Sequence, residues 1–118
     1  ERVGLALYFG IQGRSFLPAL DGETPHRDAM MIEQNDGGPR MGLARAARVR
    51  TLRDKDWRFS AYAGEDWGEL YDLDADPRET RNLWDDPAYA ADKAALSMRL
   101  IEHLTLQMDE SPRATRLA

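Results

Sequence analysis

The sequence predicts an α+β domain, a small antiparallel sheet of about four strands covered by one long C-terminal helix. Three observations carry that expectation. Trp57, Phe59, Ala61 and Ala63 alternate with Arg58, Ser60 and Tyr62, the period of a strand with one apolar face. Short polar turns, Arg53 to Asp56 and Gly64 to Asp66, flank that segment, so its neighbours should pair with it as an antiparallel meander. Finally, Tyr89, Leu96, Leu100, Leu104 and Met108 recur at helical spacing behind Asp86-Pro87.

Taken in order, residues 1–13 are apolar and glycine-rich and receive no assignment. Pro18 can open one short helical turn, which Asp21-Gly22 would end. Asp28 to Gln34 reads as the first strand, with Met30 and Ile32 on one face and Met31 and Glu33 on the other. Asn35 to Pro39 is expected to be a loop. The next strand falls in the second half of Ala44 to Leu52, then Trp57 to Ala63, then Glu69 to Leu73.

Asp86 is expected to cap the helix, with Pro87 first, where its missing N–H does no harm. A cap at Asp85 would instead set Trp84 to meet Tyr89 as a hydrophobic staple. Ile101 should widen the apolar stripe, while Arg99, Glu102, Thr105 and Asp109 take the wet side and the Lys93 ammonium snorkels outward. Leu70 and Leu100 should meet in one core. Residues 110–118 are expected to be a frayed tail, leaving 1–118 as a single domain.

Composition narrows the functional classes. With 42% apolar and 31% charged residues the chain is globular in character. No run approaches the roughly 18 apolar residues of a membrane span. Val3 to Phe9 is short, is interrupted by Gly4, and lacks the flanks of a signal peptide. Cysteine is absent, which excludes disulfides, thiolate metal sites and cysteine nucleophiles within the chain but leaves the compartment, cytoplasmic or periplasmic, open. The first residue is Glu1 rather than Met, as in a processed product or an excised piece.

The net charge of −5 is uneven: Pro39 to Arg58 carries seven basic and two acidic residues, +5, leaving −10 elsewhere. A basic stretch beside Trp57 and Phe59 raises a second functional class, an independent binding module for nucleic acid or a protein partner. The strand period assigns those aromatics to the core, so nucleic acid is not the expected partner. Asp72, Asp74, Asp76 and Glu79 crowd one corner like a calcium loop, yet lack the central glycine and terminal glutamate, and Pro77 sits among them. They are expected to accept backbone N–H bonds and face Arg78 and Arg81. His103 is expected on the helix flank, and His26 in a loop beside Arg27 where it could enter a site. No P-loop, dinucleotide fingerprint or Gly-x-Ser-x-Gly elbow occurs.

Residues 70–83, a LYDL-x-x-DP-x-E-x-x-NL pattern, resemble the C-terminal subdomain of the sulfatase family. Further motifs follow in family order over roughly residues 11–108. Gly13 to Gly22 is similar to its G-x-S-L-x-P-L-L-x-G passage, and Arg27-Asp28 with Glu33 to its W-R-D-x-x-x-x-E strand, with His26 in place of tryptophan. Arg48-Val49-Arg50-Thr51 with Trp57-Arg58-Phe59 is similar to its R-x-V-R-T-x-x-Y-K-Y hairpin, with a longer turn; residues 1–9 depart from the pattern.

The resemblance implies a non-catalytic subdomain of a sulfuric ester, phosphonate or phosphate monoester hydrolase, resting on an N-terminal catalytic domain and rimming its pocket. It implies formylglycine and a divalent metal, calcium by expectation, for that catalytic domain; no motif for either lies in this chain. His26, Arg27, Glu33 and Arg40 are the rim candidates, arginine being suited to a sulfate or phosphate oxyanion. The chain alone is expected to be inert. Parted from such a domain, it should bare an apolar patch, Val3 to Phe9 included, and self-associate.

Overall fold

The computed structural model describes residues 13, 15–22, 27–40 and 42–107. A four-residue helix, α1 (Leu17–Leu20), carries Pro18 in its first turn and stops at Asp21 and Gly22, whose φ is 73°. Strands β1 (Ala29–Pro39), β2 (Ala46–Asp54), β3 (Trp57–Tyr62) and β4 (Gly68–Asp72) follow, and helix α2 (Ala90–Leu106) ends the described fold. The sheet order is β1-β2-β3-β4 with every pair antiparallel, the meander expected from the short turns. Among the described residues no helix is long and apolar enough to cross a membrane.

Two boundaries differ from the expectation. Asn35 to Pro39 is strand rather than loop: β1 runs on to pair Pro39 with Ala46, with an irregularity after Asn35 that absorbs the two glycines. The turn after β2 is also tighter, because Arg53 pairs directly with Arg58. Asp54 closes it by accepting the N–H groups of Asp56 (2.9 Å) and Trp57 (2.7 Å).

One row of residues defines the core. Met31, Leu52, Phe59 and Leu70 are successive partners across all four strands, so they share the face turned toward α2. Leu52, Phe59 and Leu70 are 2% exposed or less, and Leu83, Leu96 and Leu100 close over them. Each such side chain contributes about 1.5–3 kcal/mol relative to exposure. Leu70 and Leu100 thus lie in one core, as the two apolar faces require. The helix stripe is narrower than expected: Ile101 is 54% exposed, while Leu96 and Leu100 are buried and Leu104 packs at the margin.

The helix start follows the Asp86 reading. The Asp86 carboxylate accepts the Ala88 N–H at 3.0 Å, Pro87 to Tyr89 form one 3-10 turn, and α2 continues from there. The alternative staple does not form. Trp84 stacks on Phe59 at 5.5 Å, and Tyr89 meets Trp57 edge-on at 6.2 Å. Replacing Asp86 by alanine is expected to cost about 0.5–2 kcal/mol in a denaturant melt, the usual loss of an N-cap. An unchanged midpoint would mean that the 3-10 turn needs no cap. Met108, Asp109 and the 110–118 tail lie outside the described residues, as does Val3 to Phe9.

Candidate functional site

The polar residues of the 70–83 corner build a latch on the sheet. Asp72 accepts the N–H groups of Asp74 and Ala75, and Asp76 those of Thr80 and Arg81, turning the chain through two tight bends. The Asp76 carboxyl is held below its ordinary value chiefly by the Arg81 N–H. Glu79 sits at φ 55°, a left-handed backbone uncommon for a side chain of its size. That conformation carries its carboxylate back over the sheet and not to Arg78 or Arg81 as expected. One oxygen accepts from Arg53 at 3.0 Å; the other lies 2.7 Å from Arg58 Nε, off the N–H axis, as an ion pair. Arg58 also donates to Glu69 at 3.0 Å and lies 4.7 Å from the centre of the Tyr71 ring. Arg81 turns the other way, to Asp86 at 2.7 Å.

Asn82 finishes the corner by acting as a short stretch of strand. Its side-chain oxygen accepts the Leu70 N–H at 2.9 Å and the Trp84 N–H at 3.1 Å, and its amide donates to the Gly68 carbonyl at 2.9 Å. The Leu83 N–H then donates to the Leu70 carbonyl at 2.8 Å, so the outer edge of β4 is occupied. Gly68 is required here by close approach: a Cβ would collide with the Trp84 ring and the Ser60 carbonyl. Lys93 packs over the same indole, and its ammonium donates to the Trp84 carbonyl at 2.6 Å.

Arg99, expected on the wet side, ties the helix to the β2–β3 turn through Asp54 at 2.6 Å. Burial alone would raise the Asp54 carboxyl, but Arg99 and the Trp57 and Asp56 N–H groups outweigh it and hold the carboxyl below 3.8. A depressed folded-state value means that stability from this pair is present above 3.8 and lost as pH falls through the folded pKa. Arg99→Gln is therefore expected to flatten the fall in stability below about pH 4. An acid limb identical to the parent's, followed by circular dichroism, would contradict the role of the pair.

The rim candidates do not converge. Arg27 lies just before β1 and lines a cleft of about 500 Å³ with Asp28, Ala29, Arg99, His103 and Gln107. Glu33 faces Arg50 across the β1–β2 ladder, 3.2 Å from its Nε. Arg40 is exposed beyond the far end of β1, roughly 35 Å of extended strand from Arg27. His26 lies outside the described residues. His103, half-buried on α2, joins the Arg27 cleft, a placement that helix periodicity alone could not give.

Five of the seven basic residues between Pro39 and Arg58 are in ion pairs: Arg45, Arg50, Arg53, Lys55 and Arg58. Phe59 is buried and Trp57 half-buried, so this segment offers no stacking platform for bases. Among the described residues no group of three His, Cys, Asp or Glu side chains could hold a metal ion, and the chain has no cysteine for conversion to formylglycine. The described residues fit neither group.

The described residues thus form a latched antiparallel meander under one helix. Residues 2–106 match the family described as N-sulphoglucosamine sulphohydrolase, C-terminal, and the chain belongs to that family. Solved structures share the fold. A phosphonate monoester hydrolase from Silicibacter pomeroyi is 30% identical with a TM-score of 0.71, over 86% of this chain and 22% of that one. A protein in complex with its substrate D-glucosamine-2-N,6-O-disulfate is 28% identical with a TM-score of 0.74, over 96% of this chain and 23% of that one. A 2-O GAG sulfatase is 26% identical with a TM-score of 0.71, over 91% of this chain and 23% of that one. The chain thus spans under a quarter of the length of these structures. No significant match was found among curated proteins.

Proposed function

We propose that this chain is the non-catalytic C-terminal subdomain of a sulfatase-like hydrolase acting on sulfuric esters or on phosphonate or phosphate monoesters. It packs on a catalytic domain and rims the substrate pocket. The observation that carries the reading is the asymmetry of cover. The match takes in 86–96% of this chain but only 22–23% of each solved hydrolase-like structure, which leaves room for a separate catalytic region. In the family resembled, formylglycine and a divalent metal supply the chemistry, and both would belong to that region. His26, Arg27, Glu33 and Arg40 are the proposed rim, arginine being suited to an anionic ester.

Two experiments test this. The purified chain should give no turnover of an aryl sulfate or a phosphonate ester, because it supplies neither an activated nucleophile nor a metal cluster among its described residues. Turnover that persists through further purification would overturn the reading. In the longer hydrolase, Arg40→Ala should raise KM for an anionic ester and keep kcat, the signature of a group that binds ground and transition states alike. An unchanged KM would remove Arg40 from the rim.

A further inference from the structure

The two edges of the sheet are treated differently. Asn82 and Leu83 occupy the backbone groups of β4, whereas among the described residues β1 pairs with β2 on one side and with no strand on the other. Edge strands are ordinarily protected by proline, lysine, bulges or inward charges. Between Ala29 and Asn35, β1 has none of the first three; its irregularity comes only after Asn35. The one charge there, Glu33, is held by Arg50 on the neighbouring strand. Met30 and Ile32, on the face away from α2, are 52% and 46% exposed.

We propose that the β1 edge is a dimer interface, where β1 of a second copy of this chain adds antiparallel about a two-fold axis at Met31. The choice of partner rests on self-complementarity. With the axis at Met31, Met30 lies opposite the partner's Ile32, and Ile32 opposite the partner's Met30, so apolar side chains meet on the open face. Glu33 lies opposite the partner's Ala29, and the two carboxylates stay four positions apart. An axis at Glu33 would oppose like charges, and one at Ile32 would set Met31 against a carboxylate. The sheet would continue across the dimer as eight strands, with both β4 edges latched. This inference does not depend on the hydrolase reading.

Sedimentation equilibrium on the full 118-residue chain tests it. A concentration-dependent dimer is expected, weakened about tenfold or more by Ile32→Lys, which places a charge at the apolar contact. Met98→Lys, on the 65% exposed outer surface of α2, should leave association unchanged. Because the chain has no cysteine, Met31→Cys adds a single reporter thiol, and mild oxidation should link the dimer across the axis. A strict monomer at high concentration overturns the proposal. So does a dimer that persists in Ile32→Lys or dissociates in Met98→Lys. Failure of folded Met31→Cys to cross-link, with Ile32→Lys still dissociating, overturns the axis at Met31. Circular dichroism confirms the fold of each variant; should Met31→Cys not fold, the two lysine variants carry the test.

Discussion

Leu100→Ala is expected to destabilise the chain by about 2–5 kcal/mol in denaturant melts, the range for truncating a buried leucine whose surroundings cannot collapse. Leu100 is 5% exposed and reaches the cluster formed by Leu52, Phe59 and Leu70. It therefore couples the helix to the sheet, and its methyl groups cannot be replaced from either side. Leu96 and Leu100 are the buried residues of α2, since Ile101 and Met98 face outward. Met98→Ala on the opposite surface should stay within about 0.5 kcal/mol. A Leu100→Ala loss as small as that of Met98→Ala would mean that α2 contributes little to the core, and the sheet would need another cover.

The sequence carried the architecture because strand and helix periods are local signals that the core also rewards. Trp57, Phe59 and Ala61 alternate, and the register sets Phe59 between Leu52 and Leu70. Asp86-Pro87 marked the helix start for the same reason, since an N-cap is satisfied within one turn. Asn35 to Pro39 misled because glycine and proline signal turns by local preference, whereas pairing with β2 and a local irregularity hold this stretch in the ladder.

What the sequence could not show was partnership at a distance. Arg99 looked solvated by its place on the helix wheel, yet Asp54 lies 45 residues earlier. Glu79 had Arg78 and Arg81 beside it in the chain; only its positive φ and the fold of the corner send it to Arg53 and Arg58. Family motifs located the 70–83 corner without saying what its side chains do. The rim candidates are a similar case: Arg27 precedes β1, Glu33 lies within it and Arg40 follows it, so an 11-residue strand separates the two arginines.

Asn82→Ala is expected to be the costliest change among the surface-accessible positions. Asn82 is exposed as a residue, yet its amide substitutes for a neighbouring strand at the edge of β4. Alanine would leave the Leu70 N–H and the Gly68 carbonyl without partners beside a packed indole, and an unpaired buried group costs about 1–3 kcal/mol. The loss should also loosen Leu83 and Trp84, which follow directly and cover Leu70 and Phe59. Asn82→Asp separates the two halves of the interaction: the carboxylate can still accept from Leu70 and Trp84, but it cannot donate to Gly68. Its stability should fall between the parent and Asn82→Ala. Hydrogen exchange at the Leu70 amide gives a local reading, with protection lost in the alanine variant and largely kept in the aspartate one. If Leu70 stays protected and the melt moves by less than about 0.5 kcal/mol, the amide is an ordinary surface group and the latch is held by Glu79 and Leu83 instead.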